Sequence, residues 1–349
     1  MGLNPKLTLE DIARMSGVSR STVSRVINQQ PNVSEPVRQR VMDVIHQTGF
    51  HPNLAARSLA SQRSYIIGLV IPRSVQNLFS DPYIPLLTQG IAQTCNQNNH
   101  TLALFLFNTE EDEYKLLPRI RRPGLVDGLI ALSTHADDEL LTQLRQGDIP
   151  YVITGRPMNL PDASYVDVDN LYGAFLAVRH LIHIGYRHIG TITGPLKTTT
   201  GMDRLEGYKK ALFESFIEYD PRLIVEGDFT QSGGYYAALK ILPHQPDAIF
   251  IASDYMVLGA IQAFQENGLT VPDDIAVVGF DDLPISSQMS PSLTTIRQPI
   301  RPLGAKLVET LLDIIDNGSQ PPRRVIFGTE LVIRESCGAH QKMVFQGDG

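Results

Sequence analysis

The chain is poor in cysteine, has no long apolar run and lacks the short motifs that announce nucleotide or ester chemistry. Of 349 residues only Cys95 and Cys337 carry thiols, too few for a disulfide framework or a cysteine-rich zinc site. No stretch approaches the roughly 18 consecutive apolar residues that a bilayer span needs. The opening MGLNPKLTLEDIARMSGVSR lacks the apolar core of a secretory signal, and Lys6 spoils the Ser/Thr slot of a myristoylation signal. The expectation is a soluble cytoplasmic protein with no membrane partner. There is no G-x-S-x-G elbow, P-loop or dinucleotide fingerprint, and the paired acids Asp281-Asp282 and Asp167/Asp169 lie on loops or strand ends. An enzyme is therefore not expected, and no cofactor is implied. His180 and His183 share a helix that His188 has already left, so no metal site is expected either.

What is present is unevenly distributed. Hydrophobic residues make up 42% and charged residues 19%, a globular composition, and the length suits two or three domains. The net charge is −7, which at first sight argues against nucleic acid. Yet residues 1–64 hold eight basic and four acidic side chains, whereas the remainder holds 22 basic and 33 acidic ones. A small basic head precedes a large acidic body. With a Debye length of about 8 Å at physiological salt, an acidic body held away from a duplex would be largely screened.

The head reads as short helices. Thr8-Leu9-Glu10-Asp11 forms an N-cap with an acid at the third helical position, followed by Ile12, Ala13 and Met15 at helical spacing. Ser16-Gly17-Val18 breaks this helix and Ser19 caps the next, where Val23, Val26 and Ile27 share one face and Arg20, Ser21, Ser24, Arg25 and Asn28 fall largely outside it. Ser34 is expected to cap a third helix with an apolar stripe at Val37, Val41, Val44 and Ile45. A helix, a glycine turn and an arginine-bearing second helix suit a major groove; the alternative is a helical subdomain that merely caps the body. Asn53–Ser61 is helix-capable but has little apolar surface.

From Tyr65 the pattern changes. Apolar runs at Ile66–Ile71, Leu102–Phe107, Gly128–Leu132, Tyr151–Ile153, His188–Thr193, Ala248–Ala252 and Ile275–Phe280 alternate with helix-period segments. These lie near 83–98, 137–146, 169–184, 201–218, 231–241, 254–267 and 301–317, with a last strand expected over 325–335. The alternation predicts an α/β body of parallel, doubly wound sheets. Its size predicts two lobes rather than one.

The stretch Leu7–Ala13, then Ser16–Asn28, Gly49-Phe50-His51-Pro52-Asn53 and Ala56-Arg57-Ser58-Leu59, closely resembles the headpiece of the LacI/GalR family of bacterial transcription regulators. The likeness continues at Asp169-Asn170, Gly185–Gly190, Gly194-Pro195, Arg204–Tyr208, Val278–Asp282 and Leu293–Pro299. It implies an all-α helix-turn-helix domain over 1–52, a hinge helix and linker over 53–64, a two-lobed periplasmic-binding-protein-like body over 65–335 and a tail over 336–349. The partners it implies are a double-stranded, palindromic DNA operator, a second copy of the chain and a small-molecule effector. The tail shows no heptad pattern, so a homodimer is expected rather than a tetramer.

Residue by residue, the resemblance implies that Arg20, Ser21 and Arg25 face bases and that Thr22 or Asn28 sits nearer the phosphates. Thr8, Ser19, Ser24 and Asn53 complete the DNA-contacting set. Arg can offer guanine a bidentate pair, although either arginine could instead contact phosphate only. In the hinge, Leu59 occupies the position of a minor-groove wedge, Ala56 allows close helix contact and Arg57 reaches phosphate; the alternative is a flexible linker. In the body, the implied effector residues are Asp81, Tyr83, Ile84, Thr198, Thr200, Arg204, Phe229, Ser253 and Asp281. Carboxylate, guanidinium, hydroxyls and an aromatic plate at strand ends suit a polyhydroxylated ring, so a sugar is expected. Three departures bear on this: Ser253 stands where some members have Asn, Ile84 replaces a frequent aromatic, and Gly155 sits where some sugar binders have an acid. Arg204 and Asp281 could alternatively form an inter-lobe pair without touching ligand. The competing readings are a cytoplasmic sugar-binding protein and a regulator without effector control.

Overall fold

The computed structural model describes residues 7–27, 30–50, 63–71, 82–107, 109–122, 124–132 and 139–339. The chain divides into two units, Met1–Ser64 and Tyr65–Gly349.

The first unit holds three helices, α1 (Leu9–Ser16), α2 (Arg20–Ile27) and α3 (Glu35–Thr48). Thr8 and Asp11 cap α1 reciprocally: the Asp11 amide donates to Thr8 Oγ1 at 3.3 Å and the Thr8 amide to Asp11 Oδ2 at 3.0 Å. Gly17, at φ 67°, supplies the left-handed residue that ends the helix. The Thr22 amide donates to Ser19 Oγ at 3.2 Å, so Ser19 caps α2 as its position suggests. Ser34 differs: it stands at the start of α3, but its hydroxyl makes no capping bond. Ile12, Ala13, Val23, Val26, Val41 and Phe50 close a small core.

The second unit is two doubly wound lobes. In lobe 1 the order is β1 (Ile66–Ile71), α4 (Tyr83–Gln97), β2 (Thr101–Leu106), α5 (Glu110–Ile120), β3 (Gly128–Leu132), α6 (Glu139–Arg145), β4 (Tyr151–Thr154) and β5 (Tyr165–Val168). The chain then enters lobe 2 with α7 (Asn170–His183), β6 (Ile189–Thr193), α8 (Thr199–Glu214), β7 (Ile224–Glu226), α9 (Gln231–Ile241), β8 (Ala248–Ile251), α10 (Asp254–Glu266), β9 (Ala276–Asp281) and β10 (Thr294–Arg297). Helix α11 (Ile300–Asn317) returns to lobe 1, burying Leu303, Leu307 and Leu311 with Leu87 and Ile91 of α4. The two helices approach through glycine. A Cβ on Gly90 would lie 2.2 Å from the Arg301 carbonyl oxygen, and one on Gly304 2.4 Å from that of Leu87.

The single strand expected over 325–335 is two strands. Strand β11 (Arg324–Phe327) pairs parallel with β5 in lobe 1, and β12 (Glu330–Val332) pairs antiparallel with β10 in lobe 2. Gly328-Thr329 between them is the third crossing of the cleft, after Asp169 and Gln298-Pro299. The sheets run β11-β5-β4-β3-β1-β2 and β12-β10-β9-β8-β6-β7. Each is covered on both faces, lobe 1 by the clusters around Ile67 and Leu129, lobe 2 by those around Phe250 and Ile251. The carboxyl ends of β1, β3, β4, β6, β8 and β9 point at the space between lobes, where open α/β sheets bind ligands.

Candidate DNA-reading face and ligand cleft

The outer face of α2 is built by subtraction: Val23 and Val26 turn inward, leaving Arg20, Ser21 and Arg25 exposed, with Thr22 and Ser24 half-buried. Ser19 Oγ lies 2.8 Å from both the Ser21 and Thr22 hydroxyls. Arg20 Nε is 3.1 Å from Glu10 Oε1, a pair exposed on both sides. Such a pair is worth at most about 1 kcal/mol, so it leaves the guanidinium available to a stronger acceptor. Asn28, Asn53, Ala56, Arg57 and Leu59 lie outside the described residues, as does Asp81 of the body.

Between the lobes lies a cleft of about 130 Å³ whose walls include Tyr83, Ile84, Thr200, Arg204, Phe229, Ser253 and Asp281. Arg204, on α8, is held from several sides. Its Nε donates to Asn170 Oδ1 at 2.9 Å, its Nη1 to the Ala252 carbonyl at 2.5 Å, and Nη1 also lies 3.6 Å from Asp281 Oδ1. The guanidinium carbon stands 3.6 Å above the Phe280 ring centre and 5.8 Å from that of Phe229. Burial pulls the Arg204 pKa down and the Asp281 charge opposes that pull.

Asp281 ends β9 at φ 128°, and Asp282 follows at φ 56°. Both values are costly for a residue with a side chain, and such strain persists only where neighbours hold it. Asp282 accepts from Arg297 Nε and Arg334 Nη2, each at 2.6 Å. Fully buried Asp254 accepts from the Leu283 amide at 3.0 Å and from the Ser286 and Thr295 hydroxyls at 2.6 Å. With the loop pinned at both ends, the Asp281 carboxylate faces the cleft and accepts from Gln298 Nε2 at 2.5 Å. Arg204 and Asp281 both belong to lobe 2, so the inter-lobe pairing considered from the sequence is corrected: they are a preset pair within one wall.

Phe229 reaches the cleft at φ 64°, its ring against Gly194, where a Cβ would come within 2.1 Å of it. Ser253 caps α10, accepting from the Tyr255 amide at 3.2 Å. Thr198 is not among the cleft-lining residues. Its hydroxyl accepts from the Gly201 amide at 3.0 Å and donates to the Pro195 carbonyl at 2.7 Å, which makes it the N-cap of α8; Thr200, two residues on, does line the cleft.

Four polar cleft residues were missed by sequence reasoning: Thr154, Asp167, Asn170 and Gln298. Asp167 Oδ2 accepts from the Arg156 amide at 2.9 Å, and Oδ1 accepts from the Val168 amide at 2.8 Å and Asn170 Nδ2 at 3.1 Å. The signal for Asp167 is an acid between Val166 and Val168 in an otherwise apolar strand; Asn170 and Gln298 sit at the crossings, which only the topology reveals. Away from the cleft, His180 Nε2 lies 3.4 Å from Cys337 Sγ, and His188 Nε2 donates to the His244 carbonyl at 2.9 Å.

Two family models match the chain, "Bacterial regulatory proteins, lacI family" over residues 8–53 and "Periplasmic binding protein-like domain" over 178–337. The HTH-type transcriptional regulator CelR of Thermobifida fusca is 37% identical over 333 residues, covering 94% of this chain and 98% of that protein. The HTH-type transcriptional repressor PurR of Aliivibrio fischeri is 33% identical over 342 residues, 96% and 99% of the two chains. Among solved structures, a CelR–cellobiose complex matches with TM-score 0.76 and 35% identity, and the lac repressor dimer bound to operator and the anti-inducer ONPF with 0.78 and 28%. Each covers 95% of this chain and 99% of its own. These relatives are transcriptional regulators, not enzymes. Likeness of this extent, from the capped first helix through both lobes, leaves one conclusion: the chain belongs to the lacI family of bacterial transcriptional regulators.

Proposed function

We propose that two copies of this chain bind a roughly palindromic operator, one half-site each, and that a sugar held between the lobes controls that binding. The observation that carries the sugar reading is the preset Arg204–Asp281 pair beside the Phe229 ring. Acid and guanidinium together present donors and acceptors to adjacent hydroxyls, while an aromatic plate covers the C–H face of a pyranose. Ser253, Thr200 and Gln298 add further polar groups to the same walls. The cellobiose bound to the CelR relative supports a glucose-containing oligosaccharide, and the operator-bound dimer of the lac repressor supports the symmetric DNA complex. On the head, Arg20 and Arg25 are proposed to read bases, with Ser19 and Ser24 on phosphates. The hinge roles of Ala56, Arg57 and Leu59 are part of the same proposal.

A thermal-shift screen of the purified chain with cellobiose, other β-glucosides, pentoses and nucleobases tests the cleft. Cellobiose or a related sugar is expected to raise Tm, since a ligand at 100 times its Kd adds about 2.7 kcal/mol. A response to a nucleobase and to no sugar would overturn the sugar assignment. On DNA, Arg20→Ala is expected to lose about 1–3 kcal/mol on a matched operator and much less on a scrambled one; an equal loss on both would reassign Arg20 to phosphate.

A further inference from the structure

The two lobes are joined across the cleft by a side-chain pair that lies outside the ligand-lining set. Arg156 follows β4 in lobe 1, and Asp203 stands in the first turns of α8 in lobe 2. Arg156 Nη2 donates to Asp203 Oδ1 at 2.7 Å and to Oδ2 at 2.9 Å. Neither partner is loosely placed. The Arg156 backbone amide donates to buried Asp167 at 2.9 Å, and Gly155 before it, at φ 88°, makes the turn that brings Arg156 over the cleft. Asp203 is adjacent in sequence to Arg204, whose guanidinium is fixed within lobe 2 by Ala252 and Asn170.

We infer that Arg156 and Asp203 form a latch that holds the lobes together and so sets how readily the cleft opens and takes up its ligand. A part-exposed ion pair adds little to the stability of a rigid body. Its leverage differs when its partners sit on bodies that move, because it is then made in one arrangement and broken in the other, and its whole worth enters the equilibrium between them. The pair's side chains are 43% and 22% exposed, so water and salt reach it, as a reversible contact requires. When the latch parts, Asp203 and Arg204 travel together on α8, so the motion that breaks the pair also carries the ligand-facing guanidinium away from lobe 1. The effect on ligand uptake rests on the sugar-cleft reading above; the latch itself does not.

The test measures lobe separation without ligand in the full-length chain. Donor and acceptor dyes are placed on cysteines introduced at Arg119 of α5 and Glu218 after α8, both exposed, while native Cys95 and Cys337 are buried. Labelled chains are diluted into unlabelled ones so that each assembly carries one dye pair. Arg156→Gln and Asp203→Asn are each expected to lower the closed-to-open ratio about two- to fivefold, the range of an exposed pair. The exchanged pair Arg156→Asp with Asp203→Arg restores part of it. Raising salt from about 0.1 M to about 1 M shortens the Debye length from about 10 Å to about 3 Å; it should open the wild type and leave Arg156→Gln unmoved. Identical separations in wild type and both single variants would overturn the latch, and so would a loss that the exchanged pair does not repair. Because no sugar is added, a failed sugar screen and a failed latch remain separate outcomes.

Discussion

Phe229 and Asp167 show how single residues in this cleft are set by their neighbours. Phe229 keeps its ring against Gly194 only because that position has no side chain: a methyl there would lie 2.1 Å from Cζ, far inside contact distance. Gly194→Ala must therefore push the ring off its seat. Loss of an aromatic face is worth about 0.5–1.5 kcal/mol, so titration calorimetry of Gly194→Ala with the sugar returned by the screen should show affinity weakened by that amount; unchanged affinity would remove the ring from the ligand. Asp167 makes a prediction about pH. Burial is the largest influence on it and raises its pKa above the ordinary 3.8, while the amides of Val168 and Arg156 pull the other way. A carboxyl with a raised folded-state pKa takes up its proton in the folded chain before it does so in the unfolded one. Its contribution is therefore whole below 3.8 and is lost as pH rises through the raised value. Melting temperatures of wild type and Asp167→Asn across that window should diverge, the wild type losing ground to the variant as pH increases. A constant gap would mean that the Asp167 pKa is the same folded and unfolded.

At the scale of elements, α8 carries much of the site: its cap Thr198, cleft-lining Thr200, latch residue Asp203 and guanidinium Arg204 fall within seven positions. Thr198 lies close in sequence to the cleft-lining residues, yet its hydroxyl is engaged with Gly201 and Pro195. Thr198→Ala should thus cost about 1 kcal/mol of stability, the worth of an N-cap. Denaturant melts check that cost, and a sugar-affinity loss with no change in the melt would return Thr198 to the cleft. The same contrast explains which elements were legible in the sequence. Seven strands announced themselves as apolar runs because both faces of a doubly wound sheet are buried. Strand β5 was hidden by Asp167, and β10, Thr-Thr-Ile-Arg, by hydroxyls whose burial is satisfied only by distant partners, Thr295 by Asp254 and Thr294 by Cys337 Sγ. Strand β7, with three residues, is too short for periodicity to speak. Residues 325–335 read as one strand because their composition is continuous, and nothing local marks Gly328-Thr329 as the point where the chain changes lobe. Arg204, Phe229 and Asp281 were legible through family resemblance; Asn170 and Gln298 acquire their place only when the crossings are drawn.

On the scale of the whole molecule, a small basic head precedes a large acidic body, and the proposed coupling between operator and cleft is a thermodynamic quantity with a definite test. If a ligand in the cleft changes operator affinity by some factor, the operator must change ligand affinity by the same factor, whatever the path between them. That factor is set by how differently the ligand binds the two lobe arrangements; a ligand that bound both equally would shift nothing, however tightly it held. The cleft favours a large difference, because Arg204 and Asp281 belong to lobe 2 while Tyr83, Thr154 and Asp167 belong to lobe 1. A sugar bridging the two walls keeps both sets of contacts only when the lobes are together. The expected coupling is about 5–150-fold, or 1–3 kcal/mol. Operator affinity measured with and without the sugar, and sugar affinity measured with and without operator, should return one number within error. A factor of one in both directions would establish a regulator whose cleft does not govern its DNA.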